Sequence, residues 1–349
     1  MKRIVSFVLL AAMICLAMAG CSGGNSEATM QLYVLNWGDY IDEEVLENFR
    51  TEHPEIDLHY TTMTSNEEML IQLQSEDCIY DVCFPSDYTI SKLINLDLLA
   101  EIDTSKLSNY ENIDERFLNQ PFDPDNTYSV PYAWGTVGIL YNTTMVDEPV
   151  TSWDILWDEK YAGQIYMYDS VRDSMMVALE LLGYSMNTTD PDEIAEAEAL
   201  LVEQKPLVQA YGTDDLRDRM IAGSGAMAVT YSGDAIYAIM ENPDLAYAVP
   251  EEGSNIWFDN VIITKSSQNV EAAYIFLDYL LDAEVAAANA NYLCYSTPNA
   301  AAEEFIDPEL LASDVFNVPQ DVIDRCEGFI DLEEDEQLYH SAWTRIKAQ

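Results

Sequence analysis

Short apolar strands alternate with amphipathic helices along most of this chain, and that alternation limits the fold more than any other feature. Residues 31–36 alternate as a strand should, and Asp42 can cap a helix that places Val45, Leu46 and Phe49 on one face. Residues 56–60 read as the next strand. Ser65-Asn66-Glu67-Glu68 is a capping box that opens a helix through Leu73. A short buried strand at 81–84 and a helix at 88–96 complete a β-α-β-α-β series, which requires a largely parallel sheet covered by helices on both faces. An irregular stretch at 107–126, rich in Asn, Asp and Pro, interrupts the pattern. A second series follows, with strands expected at 137–141, 165–168, 207–211, 226–230 and 256–264. Its helices are expected at 171–182, 191–204, 215–222, 270–281 and 333–347. Two α/β lobes account for this order, with ligand sites at the carboxyl ends of the strands.

The N-terminus stands outside that pattern. Lys2 and Arg3 precede an apolar run over 4–19 broken only by Ser6. The run is shorter than the ~20 apolar residues of a membrane span and fits the hydrophobic region of a secretory signal, so 1–20 is a signal peptide. It ends Met18-Ala19-Gly20-Cys21 and is followed by Ser22-Gly23-Gly24-Asn25-Ser26. Small residues directly before a cysteine resemble the lipobox of bacterial lipoproteins, which implies lipidation of Cys21 and cleavage before it. The alternative is an ordinary signal peptide cut near Ala19. Residues 21–30 then comprise the lipidated cysteine and a flexible tether.

Removing 1–20 takes Lys2 and Arg3 away and moves the net charge from −48 to −50. The remaining length exceeds what one compact core usually holds, again favouring two lobes. Half of the residues are apolar, enough to build cores despite the charge. Such acidity excludes nucleic acid and anionic lipid surfaces as partners. It suits a cationic ligand, but an acidic surface alone would look the same. Cys78, Cys83, Cys294 and Cys326 show no zinc-ligand spacing with His53, His59 or His340, so neither a metal nor another cofactor is expected. Cys78–Cys83 and Cys294–Cys326 are candidate disulfides in an exported protein, with buried free thiols the simpler expectation.

The chemistry lies just beyond the strand ends. Strand one runs into Asn36-Trp37-Gly38-Asp39-Tyr40 and strand three into Pro85-Ser86-Asp87-Tyr88. In the second series, 165–168 runs into Asp169-Ser170-Val171-Arg172-Asp173, and 226–230 into Tyr231-Ser232-Gly233-Asp234. Trp257-Phe258-Asp259 and Tyr295-Ser296-Thr297-Pro298 offer the same residue types. Aromatic faces attract ammonium groups and cover methylenes, and carboxylates supply the countercharge that a desolvated ammonium needs. An anion site would instead use Gly-rich helix N-termini, Arg or Lys, and Arg172 is the only base among these loops. Together the loops describe a box for a flexible organic cation.

Those motifs, with Phe122-Asp123-Pro124-Asp125-Asn126-Thr127-Tyr128-Ser129-Val130-Pro131-Tyr132-Ala133-Trp134-Gly135, Thr151-Ser152-Trp153-Asp154-Ile155-Leu156-Trp157 and Gly183-Tyr184-Ser185-Met186-Asn187-Thr188-Thr189-Asp190-Pro191, resemble the bacterial spermidine/putrescine-binding protein family. The resemblance covers nearly all of the chain beyond the leader. It implies a periplasmic-binding-protein type II fold, a clamp of two α/β lobes joined by crossing hinge strands near 135–137 and 254–257. The lobes would comprise 31–134 plus 257–301 and 135–256 plus 302–349. It further implies ligand contacts at Trp37, Asp39, Tyr40, Ser86, Tyr88, Asp173, Trp257, Asp259 and Tyr295, with Tyr231 where a family member has Trp. Ser170 stands where that member has a second acid and Thr344 where it has Gln, which leaves the choice between spermidine and putrescine open. Asp234 is a candidate for the missing acid. The implied function is capture of a polyamine outside the cytoplasm and delivery to the membrane permease of an ABC importer, by a lipid-anchored monomer. Alternatives are a binding protein for another cationic solute, or a polyamine sensor without transport. Paired carboxylates could also serve an exported hydrolase, but no nucleophile elbow, zinc motif or Ser-His-Asp order supports an enzyme.

Overall fold

The computed structural model describes residues 30–213 and 215–349; the expected signal peptide, Cys21 and the tether up to residue 29 lie outside the described residues. In the first lobe, β1 (Met30–Trp37) lies between β2 (Ile56–Met63) and β3 (Val82–Cys83), parallel to both. Helix α1 (Glu43–Glu52) starts where the Asp42 carboxylate accepts from Glu44 N at 2.9 Å. Helix α2 (Asn66–Leu73) starts where Ser65 Oγ accepts from Glu68 N at 3.1 Å. Helix α3 (Asp87–Asn95) follows β3 directly.

The 14-residue strand β4 (Ser129–Asn142) leaves this lobe and enters the next. There β5 (Ile165–Tyr168), α4 (Val171–Leu182), α5 (Pro191–Gln204), β6 (Val208–Gly212), α6 (Asp215–Ile221), β7 (Met227–Tyr231), α7 (Ser232–Glu241) and β8 (Leu245–Ala248) form the second α/β unit. Strand β9 (Ile256–Ile263) returns to the first sheet and is followed by α8 (Val270–Leu280) and α9 (Ala283–Leu293), and α10 (Glu336–Ala348) ends the chain. Continuous pairing in the order β2-β1-β3-β9-β4-β7-β5-β6, with β8 also on β4, links both sheets.

The change of lobe is sharp. Thr136 pairs with Ile256 of β9, whereas Val137 pairs with Tyr231 of β7. Beside this crossing, Val137 N donates to Asn255 O. A third segment joins them, with Ile256 N donating to Glu327 O and Glu327 N to Ser254 O, both at 2.9 Å. The second-lobe boundary expected at 302 therefore needs correction. Ala302, Leu310 and Phe316 cover the apolar face of α9, and Val318, Val322 and Ile323 pack with Val34 and Phe49 of the first core. Only near Glu327 does the chain cross, after which Tyr339, Ala342 and Ile346 of α10 join the second core.

Four of these elements escaped the sequence pattern, among them the four-residue strand β8. The first half of β4 is buried on both faces and carries a register irregularity between Pro131 and Ala133, so it shows no alternation. Helix α7 follows β7 with no intervening loop, and α9 is so rich in Ala that its apolar face carries little contrast. The four cysteines among the described residues are free thiols, neither candidate pair being bonded. No helix among the described residues is long and apolar enough to cross a membrane.

Candidate ligand-binding cleft

The carboxyl ends of β1 and β3 face those of β5 and β7, with the start of β9 between them. At the end of β1 the Trp37 indole donates to Phe84 O at 2.8 Å, which ties the ring to β3. Gly38 and Asp39 turn the chain so that Tyr40 points inward, and its hydroxyl donates to Asp259 Oδ2 at 2.7 Å. At the end of β3, Asn66 Nδ2 donates to Ser86 Oγ at 3.2 Å and to Tyr88 Oη at 2.9 Å, fixing both side chains. Ser86 also bridges the backbone of Asp259.

From the second lobe, the Tyr231 hydroxyl donates to Asp173 Oδ2 at 3.2 Å, and Asp173 N donates to the capping Ser170 Oγ at 3.4 Å. The rings run without a break from lobe to lobe. Tyr231 meets Trp257 edge-on at 5.9 Å, Trp257 meets Tyr295 at 5.0 Å, and Tyr295 meets Tyr40 at 6.0 Å. Two glycines make room for this wall. A Cβ at Gly135 would lie 2.7 Å from Trp257 Cζ2, and one at Gly233 would collide with the Tyr295 ring.

Buried acids supply the charge. Asp87, Asp173 and Asp259 are 2%, 3% and 7% exposed. Burial pushes Asp259 up to about 6, against the opposing pull of the Tyr40 and Ser86 hydroxyls. Burial pushes Asp87 up to about 8, assisted by the neighbouring Asp259 charge and opposed by the Tyr88 and Phe258 amides and by Arg172. Asp173 is also raised by burial. One carboxylate oxygen of Asp173, one of Asp259 and the Trp257 indole N–H are buried without a hydrogen-bond partner. Such atoms are costly unless a partner arrives. The two carboxylate oxygens call for a donor, which a cationic N–H group would be, whereas the Trp257 indole N–H calls for an acceptor.

Of the residues expected from sequence, Trp37, Tyr40, Ser86, Tyr88, Asp173, Tyr231, Trp257, Asp259 and Tyr295 thus converge on one cleft. Asp39 does not enter it. It is exposed at the rim, with φ of 52°, and accepts from the Tyr292 hydroxyl. Thr344 is exposed on α10 and bonds its own helix at His340 O, so it takes no part. Asp234 lies 3.3 Å from Arg217 and receives the Tyr295 hydroxyl at 3.4 Å, so its charge already has a counterion. Sequence reasoning missed Asp87, although it stood inside the Ser86-Asp87-Tyr88 motif. It also missed Asn66 and Tyr132, which stood inside the capping box and the 122–135 motif without being singled out, and Phe329, which carries no signal of its own. Tyr132 packs on Tyr40 at 5.7 Å, and Phe329 meets Tyr88 at 6.4 Å from the third crossing segment. Arg172 is 7% exposed, lies over Phe329 at 4.4 Å, and donates to Asn187 Oδ1 at 2.8 Å and Ile330 O at 3.2 Å.

Comparisons with known proteins agree with this architecture. Residues 44–315 match the family model of bacterial extracellular solute-binding proteins. The chain is 33% identical to the spermidine/putrescine-binding periplasmic protein of Salmonella typhimurium, over all of this chain and 99% of that one. The solved structure of the spermidine/putrescine ABC transporter substrate-binding protein PotD from Streptococcus pneumoniae is 38% identical, with a TM-score of 0.82 over 91% of this chain and 99% of that one. A putative spermidine/putrescine ABC transporter protein from Listeria monocytogenes is also 38% identical, with a TM-score of 0.86 over 91% of this chain and 98% of that one. The two lobes and their crossing strands are the periplasmic-binding-protein type II fold. The chain belongs to the bacterial extracellular solute-binding proteins and, among them, to the spermidine/putrescine-binding family.

Proposed function

We propose that this protein captures a polyamine between its two lobes, outside the cytoplasm, and delivers it to the permease of an ABC importer. The observation that carries the reading is the pair of unpartnered carboxylate oxygens, on Asp173 of the second lobe and Asp259 of the first, set along one aromatic wall. Each ammonium group of a polyamine gives one such oxygen a charge-assisted partner, while the rings of Trp257, Tyr231 and Tyr295 cover the methylenes between. The family's spermidine/putrescine-binding members support the same ligand class. Because the acids belong to different lobes, bound ligand favours the closed arrangement by its differential contacts with it.

Equilibrium dialysis of the purified chain against labelled putrescine and spermidine, with glucose and glutamate as controls, tests the reading. Saturable uptake of a polyamine at one equivalent per chain, and none of the controls, is expected. Uptake of a control but of no polyamine refutes it. In this reading the protein acts as a monomer, held by lipid at Cys21 on the outer face of the cell membrane or in the periplasm. Stable attachment takes two acyl chains, which lipobox processing provides. Cys21→Ala should shift the protein from the membrane fraction to the soluble one, and equal retention of the variant would overturn the anchor.

A further inference from the structure

We propose that Glu180 is a proton-operated lock on the hinge: a proton held among Glu180, Glu252 and Glu327 keeps the third crossing segment on the second, and its loss loosens the joint through which the lobes move. The lock lies outside the cleft and is independent of the ligand taken there.

The joint is built at Gly253. Its φ of 119° favours glycine, and a Cβ there would lie 2.5 Å from Arg325 O and 2.9 Å from Glu180 Oε2. The Glu180 carboxyl, from the last turn of α4, therefore rests where the second and third crossing segments meet. They are joined by Glu327 N donating to Ser254 O and Ile256 N donating to Glu327 O. Ser254 Oγ donates to Val137 O at 2.6 Å, which adds β4, the first crossing. Glu180 is 6% exposed, and its Oε1 is buried with no hydrogen-bond partner. Glu252, beside Gly253, accepts from Ser152 on one oxygen, and its other oxygen is also buried without a partner. Glu327 accepts from Ser185 Oγ at 2.7 Å.

The surrounding charges leave these acids unanswered. Arg325, the base of the third segment, donates to Val249 O at 2.9 Å and Pro250 O at 3.0 Å and lies near Asp321. Burial pushes the Cys326 thiol up to about 11, so it stays neutral. Asp154 and Asp321 are exposed. From α5 and α10, which pack on α4, Glu193 bonds Thr188, Glu196 bonds Tyr184, Glu198 pairs with Arg345 and Glu336 with Lys92. Among the described residues no set of three His, Cys, Asp or Glu is placed to hold a metal ion, so the group that fits is a proton. Burial pushes Glu180 up to about 8, and the Glu327 and Glu252 charges act in the same direction. Protonated, Glu180 is a donor among acceptors; ionised, it adds a like charge to the joint. Opening returns it to its ordinary 4.5, so the joint is firmest at low pH and loosens as pH rises through about 8. Lobe movement turns on such crossings, so it becomes easier over the same range.

Hydrogen exchange at the Glu327 and Ile256 amides of the ligand-free protein, corrected for intrinsic exchange, reads the joint. In the wild type, opening should rise at least about tenfold from pH 6 to pH 8. Glu180→Gln is neutral at both pH values and still a donor, so its corrected exchange should be the same at both. Glutamate-selective carboxyl NMR gives a second readout on the wild type itself. One glutamate should titrate above about pH 6, where an ordinary carboxyl is already ionised, and its resonance should be missing from the variant. Unchanged wild-type protection between the two pH values, the same pH dependence in Glu180→Gln, or every glutamate titrating below about pH 6 overturns the lock. Each of those results leaves polyamine binding in the cleft untouched.

Discussion

Asp259→Asn isolates the charge of the first-lobe anchor. The Tyr40 hydroxyl donates to Asp259 Oδ2 at 2.7 Å, and the other oxygen is buried without a partner. Asn keeps the shape and can still accept from Tyr40, but it turns an N–H toward the arriving ammonium. Removing one member of a buried charge pair typically costs about 2–5 kcal/mol. At about 1.4 kcal/mol per decade, affinity should fall by roughly thirtyfold to a few thousandfold. Without ligand the sign differs. Asp259 is raised to about 6 by burial, so its charge at neutral pH is a liability to the empty fold, and the variant should melt no lower than the wild type. Glu333→Gln is the control, since Glu333 is exposed and its charge is screened by salt. Titration of all three proteins at physiological ionic strength reads the result. Equal losses in Asp259→Asn and Glu333→Gln would show that acidity acts as a diffuse field and would refute the specific anchor.

Four further outcomes follow from the same geometry. Gly233→Ala should push the Tyr295 ring out of the wall, cost about 1–3 kcal/mol of stability and weaken polyamine binding at least about tenfold; an unchanged Kd would show that Tyr295 does not touch ligand. Diamine affinity should rise from pH 6 to pH 8, because protons compete with ammonium groups for Asp259 and Asp87, which titrate near 6 and 8. The ligand stays protonated there, so a flat profile in calorimetry would contradict the assignment. The free protein should show the reverse trend in melting temperature. Both acids are raised above their usual 3.8, so the native state holds more protons than the unfolded one and stability falls as pH rises through that window. Lys92→Ala removes the ion pair with Glu336 between α3 and α10. As a partly exposed pair worth at most about 1 kcal/mol, its loss should weaken binding no more than about fivefold; a much larger loss would mark it as the principal latch.

Much of this fold was legible because each strand and helix carries its own period. The caps at Asp42 and Ser65 lie in their expected places, since both are local interactions. Residues at strand ends were legible as a chemical class for the same reason: the loop after a parallel strand must present its side chains to the cleft. Longer-range facts were not. Nothing local tells that 302–323 covers first-lobe surface before the chain crosses near Glu327, because that depends on the apolar face of α9 needing a cover. Asp87 and Asp39 are both acids in strand-end motifs, yet one is buried beside Asp259 and the other exposed at the rim. The difference lies in backbone direction, including the left-handed turn at Asp39, which composition does not encode. Asp234 looked like a spare acid because Arg217, its counterion, stands 17 residues away on another helix.

A crystal structure of the protein with putrescine tests the central claim most directly. One ammonium nitrogen should lie about 2.7–3.2 Å from the unpartnered oxygen of Asp259 and the other at the same distance from that of Asp173, with the methylenes against Trp257. Diamine density outside this wall, or ammonium groups that leave both oxygens unpartnered at full occupancy, would contradict the account.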